Sequence, residues 1–489
     1  MTTSTAPGSV PQSVTAVTLW GDLWPESHTG GRPRIVAAAM AVGALAAVVV
    51  PFRDHGLGTF LVLLAMASVI LLGRASRWTP YLLTTVALCL LLLTTVVLRD
   101  AAWVALLCVV AAAGLGVTAL VGARSVPAVV ASAVAVPLAA LRGLPWLGRS
   151  LRPTGRLGSL WPALRTGLVS VVLVTVFGAL FASADRLFAS WVEALLPDLT
   201  LGTALLRGFV LLVVAGVTLA GAYVAVNPPQ VERIAAPPSR AVAAAFEWLT
   251  PVGLLLVLYT GFVAAQLTVL FGGHAYLRRT TGLTYAEHVH QGFGQLTVAT
   301  VLTLAVVAVA ARKAARATPR DRALLRAVLG TLCALTLVVV ASALFRMHVY
   351  EEAYGFTRLR VLVSVFEAWL GLVVVLVLVA GVRLRGAWVP RAALLSGAVA
   401  LLALAAANPD GYVAERNVER YVETGKADWS YLAGLSADAV PALRALPDAV
   451  QGCVLGPSAA DHDDWLEWNL GRARAGAATL AASADCVSR

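Results

Sequence analysis

The sequence predicts an all-α, polytopic membrane protein. It would be a transmembrane helical bundle of about eleven spans, with a twelfth candidate, and a small helical C-terminal extracytoplasmic domain. Three observations carry this reading. Of 489 residues, 59% are hydrophobic and only 13% are charged, against roughly 25% charged in a soluble domain. The apolar residues fall in blocks of about 18, long enough at 1.5 Å per residue to cross a ~30 Å hydrocarbon layer, where only a helix satisfies its own backbone. The basic residues cluster in alternate loops, as the positive-inside bias requires.

The elements follow in order. Residues 1–33 are polar and lack the apolar core of a signal peptide, so they read as a flexible cytoplasmic leader. Residues 34–141 hold four spans, Ile35–Phe52, Gly56–Gly73, Tyr81–Leu98 and Ala101–Ala123, with almost no polar residue inside them. Ser125–Leu141 is the twelfth candidate. Pro127 and Pro137 interrupt it and a basic segment, residues 142–165, follows; it reads as a helix lying along the interface. Residues 166–407 hold seven spans: Thr166–Ala184, Gly208–Val226, Leu249–Phe271, Gly292–Ala311, Ala327–Phe345, Val361–Val382 and Ala392–Ala407.

The N-terminus and every second loop after it hold 21 Lys and Arg; the opposite loops hold 9. This puts the N-terminus in the cytoplasm and, after eleven crossings, the tail (residues 408–489) outside a bacterial plasma membrane. The tail has 12 acidic and 7 basic residues, so the net charge of +11 reflects membrane orientation rather than nucleic-acid binding. The lipid bilayer is the expected partner.

The tail is punctuated for helices. Asn408-Pro409 supplies an N-cap and a proline at the first helical position, and Gly425 is placed to end that helix. Ser436 starts a second, and DHDDWLEWNLGRARAGAATLAA reads as a third. Cys89, Cys108 and Cys333 lie within spans and read as packing residues. Cys453 and Cys486 lie in the tail, where a disulfide would survive; a bridge between them and two free thiols both fit.

The polar residues inside spans are the candidates for function. Thr284 to Glu287 fits a capping box. Glu287, Gln291 and Gln295 recur at i, i+4 and i+8, so they share one helix face that must avoid lipid. Gln266 lies at a similar depth on another span. Arg358 and Arg360 precede a third, on which Arg360, Ser364 and Glu367 share a face. Together these outline a polar pocket open to the outside with Glu367 at its floor. An ionisable residue within a span is a functional candidate by default. The competing account is a structural glutamate paired with Arg358 or Arg360, or bonded to Gln266. His288 and His290, two apart, point to different helix faces and cannot share a metal. No metal site and no cofactor is expected, and no Walker loop, dinucleotide fingerprint or GxSxG is present.

Several stretches resemble an uncharacterised family of bacterial polytopic membrane proteins common in actinobacteria, domain of unknown function 4173, with a related group numbered 4153. They are Phe177–Phe188, Gln266–Leu277, Gly282–Leu296, Tyr350–Val361, Tyr431–Leu443 and Trp468–Ala475. The resemblance implies a multi-helix membrane fold with an external tail, and carries no established reaction.

Three functional classes remain open. One is transport or translocation of a polar, anionic or lipid-linked substrate through the outward pocket. The second is a non-enzymatic sensor or assembly protein whose tail, residues 408–489, meets an envelope protein. The third is an integral membrane enzyme of envelope or lipid metabolism. It would use His55, His274, His288, His290, His348, Glu351 and Glu352 as acid–base groups. Without a recognisable catalytic residue, the sequence leans away from an enzyme.

Overall fold

In the computed structural model the described residues are 24, 30–74, 78–151, 201–234, 245–281, 293–457, 464–476 and 478–480, with scattered positions between 166 and 191; at 201, 234, 267–281, 293, 457 and 478–480 the backbone alone is described. Apolar helices form where the apolar blocks lie. In chain order these are α1 (Pro33–Val49), α2 (Leu57–Leu72), α3 (Pro80–Leu98) and α4 (Ala102–Val121). Three short helices follow, α5 (Val126–Ala133), α6 (Ala135–Arg142) and α7 (Leu144–Ser150), then α8 (Leu201–Val226), α9 (Phe246–Thr281), α10 (Phe293–Lys313), α11 (Pro319–Tyr354), α12 (Arg358–Arg383) and α13 (Val389–Ala406).

Among the described residues, eight helices are long and apolar enough to cross a membrane; α1 and α2 are shorter. The protein is therefore a multi-pass, all-α membrane protein. The expected span Thr166–Ala184 falls largely outside the described residues. Ser125–Leu141 becomes α5 and α6, eight residues each, or about 12 Å apiece at 1.5 Å per residue. Pro127 and Pro137 each sit in a first helical turn, where a missing N–H costs nothing.

α11 runs well beyond the expected Ala327–Phe345. Thr318 and Asp321 close a capping box around Pro319, so the helix starts eight residues early. Its 36 residues extend about 54 Å, more than a hydrocarbon layer needs.

The chain divides into two compact units: Met1–Ala44, Met66–Arg77 and Val117–Ala235; and Leu45–Ala65, Trp78–Gly116 and Ala236–Arg489. In the first, α6 packs on α8 and Glu232 accepts from the backbone amides of Arg124 and Ser125 at the start of α5. Trp24 lies in the segment expected to be a flexible leader, yet it is only 2% exposed. It stacks on Tyr223 at 5.8 Å and donates to the Asn227 carbonyl at 2.8 Å, so the leader is pinned at that point.

In the second unit, α9, α10, α11 and α12 share one apolar core centred on Leu325, Leu332, Cys333 and Val374. A second core joins α3, α4 and α13 around Leu92, Val104, Cys108 and Ala398. The tail builds a third. There α14 (Pro409–Thr424), α15 (Trp429–Ala433), α16 (Val440–Leu443) and α17 (Asp448–Gln451) bury Val413, Ala414, Leu432, Leu443 and Val454.

Asn408 caps α14 from the left-handed region, φ 51°, a conformation asparagine tolerates. Gly425, φ 69°, ends the helix. The third expected tail helix is a correction. Among the described residues of that stretch, α18 (Leu470–Ala475) is the helix that forms, between the Asn469 cap and Gly476 at φ 65°. Beyond it β2 (Ala478–Leu480) pairs antiparallel with β1 (Leu455–Pro457). The glycine punctuation overrides the apolar spacing.

Cys453 is disulfide-bonded, while Cys89, Cys108 and Cys333 are free. The expected partner, Cys486, lies outside the described residues. We expect unreduced, denatured protein to titrate three thiols and reduced protein five, with peptide mapping joining Cys453 to Cys486. Five titratable thiols without reductant would refute the bridge.

Candidate functional site

The residues expected to line one pocket separate into distinct environments. Glu287 and Gln291, with Thr284, His288 and His290, lie outside the described residues. Gln295 is exposed on α10. Two residues on, about 200° around the helix, Thr297 donates to Glu367 Oε2 at 2.8 Å, so the Gln295 side of α10 points away from Glu367. Gln266 on α9 accepts from Arg346 at 2.6 Å and from Ser342 at 3.3 Å, both on α11. Arg360 donates to the Gly355 carbonyl and stacks over Tyr350 at 4.4 Å. Ser364 is half-buried on α12.

Arg358 leaves the membrane helices altogether and pairs with Asp410 of the tail. His348 pairs with Glu352 one turn on, at 3.3 Å, and the His55 ring meets the Arg99 carbonyl at 3.2 Å.

Glu367 is thus left with little company. It is fully buried, at 0% exposure, between α10 and α12. Thr297 holds one carboxyl oxygen; the other has no hydrogen-bond partner among the described residues. The three partners a structural role would use, Arg358, Arg360 and Gln266, are engaged elsewhere. A buried polar atom without a partner costs about 1–3 kcal/mol.

The densest polar cluster forms where the tail meets the ends of the membrane helices. A helix leaves four amides bare at its start and four carbonyls bare at its end. Here side chains of the tail, and Arg99 of the loop between α3 and α4, meet those groups. Asp438 Oδ2 accepts from the amides of Asp100 at 2.7 Å and Ala101 at 2.9 Å, at the start of α4. Asp100 reciprocates, accepting from the Ala437 amide at 2.9 Å and from Arg472 at 2.7 Å. Asn469 donates to the carbonyls of Val96 and Arg99 at the end of α3. Arg99 donates to those of Ala405 and Ala406 at the end of α13. The Tyr431 hydroxyl accepts from the Arg358 amide at the start of α12, 2.7 Å.

Asp410, 0% exposed, sits at the hub. It accepts from Arg358 Nε at 2.9 Å, Trp103 Nε1 at 3.0 Å and the Ser436 amide at 2.9 Å. Gly471 has no room for a side chain, because a Cβ there would strike Asp438 and Asp100.

The two buried tail carboxyls titrate in opposite directions. Burial pushes Asp438 above the usual carboxylate range, and the amides of Ala101 and Asp100 with Arg99 only partly offset it. Burial acts on Asp410 too, but the bonds from Arg358, Ser436 and Trp103 outweigh it and hold Asp410 below that range. The raised Asp438 contributes stability that is present below about pH 4 and lost as pH rises through its folded value. The lowered Asp410 contributes stability that is present above about pH 4 and lost as pH falls through its folded value. We therefore expect the melting temperature to rise as pH drops from neutral toward 4–5 and to fall below that. Asp438→Asn should flatten the first limb, and a wild-type profile falling monotonically from pH 7 would contradict the assignment.

Three segments carry charge beside the helix ends: Arg53-Asp54-His55, Arg99-Asp100 and Arg346–Arg360. The structure brings residues of all three to the tail. Sequence reasoning did not pair these loops with Asp410, Asp438, Asn469 and Arg472: even Arg358 lies 52 residues from Asp410, and the other pairings span 337 to 417 residues. The usable signal was a surplus of acidic residues in the tail facing arginines in the loops.

The chain matches none of the curated proteins and none of the solved structures with which it was compared. Residues 86–446 match the family model described as Domain of unknown function (DUF4153), so of the two groups the resemblance named, 4153 is the one found. That match runs from within α3, through every membrane helix that follows, to the Asp410 and Asp438 contacts, and the chain belongs to this family of unknown function.

Proposed function

We propose that the protein carries a polar, anionic or lipid-linked substrate across a bacterial plasma membrane, with Glu367 exchanging a proton or cation during the cycle. The observation that carries this reading is the Glu367 carboxyl: fully buried among membrane helices, bonded through one oxygen only. A group fixed for structure alone would be fully partnered; one that must take up and release a ligand keeps a position open. Gln266, Arg346 and Ser342 supply a second polar group between α9 and α11. With the tail outside, as the loop charges indicate, both sites lie in the outer half of the bilayer.

The test uses proteoliposomes loaded with a pH-sensitive dye under an imposed potassium diffusion potential. Wild-type protein should conduct protons above the protein-free leak and Glu367→Gln should return to that leak. Equal rates in the two proteins would remove Glu367 from the mechanism.

One observation favours a second reading. Tail side chains bond the ends of α3 and α11 and the starts of α4 and α12, a firm seat for a domain that senses or assembles an envelope partner. Loss of a defined envelope complex on release of the tail, in a protein that conducts no protons above the leak, would favour that reading over transport.

A further inference from the structure

The segment Asp464–Asn469 exposes two large aromatic rings while its backbone is held firmly. Trp465 is 68% exposed and Trp468 is 45% exposed. The Leu57 amide donates to the Trp468 carbonyl at 3.1 Å and the Gly58 amide to the Leu466 carbonyl at 2.6 Å. Arg53 pairs with Asp464 at 2.8 Å. Gly56 lies so close that a Cβ there would meet the Glu467 and Trp468 carbonyls. The rings are therefore presented on a rigid base, the loop between α1 and α2, which itself carries Phe52, 67% exposed.

The helices that end at this loop are short. α1 has 17 residues and α2 has 16, or about 26 Å and 24 Å at 1.5 Å per residue, less than the ~30 Å hydrocarbon layer. A short apolar helix is accommodated by drawing its flanking residues into the interface. At the other end of the second unit stands a matching set. Trp78 precedes α3, Trp388 caps α13 and Phe246 opens α9, all exposed, and the α3 and α13 starts are tied by Arg391 over Tyr81 at 4.2 Å. α3 and α13 have 19 and 18 residues, about 29 Å and 27 Å long. Exposed aromatics separated by one hydrocarbon thickness are the pattern of interfacial belts.

We infer that Trp465 and Trp468 lie in the lipid headgroup layer, so that the tail completes one aromatic belt of the membrane domain and is a lipid-seated cap. An indole there buries its ring in the upper acyl region and keeps its N–H among headgroup oxygens and water.

The test labels the full chain with fluorotryptophan in lipid nanodiscs. The two resonances are assigned by their loss in Trp465→Phe and, separately, Trp468→Phe. Trp465→Tyr and Trp468→Tyr serve as replacements if either variant fails to fold. A lipid carrying a nitroxide at the headgroup should broaden both signals more than a lipid labelled at the acyl end, and more than an aqueous gadolinium chelate. Stronger broadening by the aqueous chelate places the rings in water and overturns the inference. Signals untouched by either probe mean a second copy or protein covers them, and overturn it equally.

Discussion

Asp410→Ala should release the tail from the membrane helices. The substitution removes the acceptor for Arg358, Trp103 and the Ser436 amide at once. Breaking a buried pair while leaving its partner in place costs about 3–5 kcal/mol, a large share of the 5–15 kcal/mol that holds a typical domain together. In nanodiscs, protease should then cut within residues 409–457 under conditions that leave wild-type protein intact. Arg358→Ala alone should cost less, because that side chain is 32% exposed while Asp410 retains its other two donors. A double variant close to Asp410→Ala alone would show that the two residues act as one pair. Wild-type protease resistance in Asp410→Ala would end the claim that this carboxylate anchors the tail.

The second large effect is expected at Asp438. Its carboxylate meets two amides at the start of α4, where the helix dipole also favours negative charge. Asp438→Ala leaves both amides without an acceptor, at about 2–6 kcal/mol for the two. Asp438→Asn keeps an acceptor oxygen and should recover most of the loss. Hydrogen exchange at residues 100–105 should accelerate in the alanine variant and stay near wild type in the asparagine variant. Equal acceleration in both would mean that the charge, rather than the acceptor, matters.

The membrane helices were legible in the sequence because the bilayer imposes one simple requirement, a long apolar run, and α3, α4, α10, α12 and α13 obey it within a few residues, while α8 starts seven residues early at Leu201. The ends were less legible. α11 gains a helical turn or more at each end because Thr318 and Asp321 cap it early and because its last turns meet the tail, with Arg420 donating to the Ala353 carbonyl at 3.1 Å. The expected pocket rested on helical periodicity, which places Arg360, Ser364 and Glu367 on one face but cannot say what each will meet. Arg358 found Asp410, 52 residues away, and Gln266 found Arg346, 80 residues away. Glu367 was found by its rarity alone. Its single partner, Thr297, carries no signal, since threonines in membrane helices ordinarily bond their own backbone.

The reciprocal contact between Asp100 and the 437–438 turn also sets an order of events during synthesis. Asp438 is translated 338 residues after Asp100, about 17–70 s at 5–20 residues per second. Until then the start of α4 emerges with its amides served only by water or by the insertion machinery. A ribosome stalled before residue 438 would leave a bundle whose helices are all inserted but whose rim is chemically open, and a quality-control protease could recognise that difference.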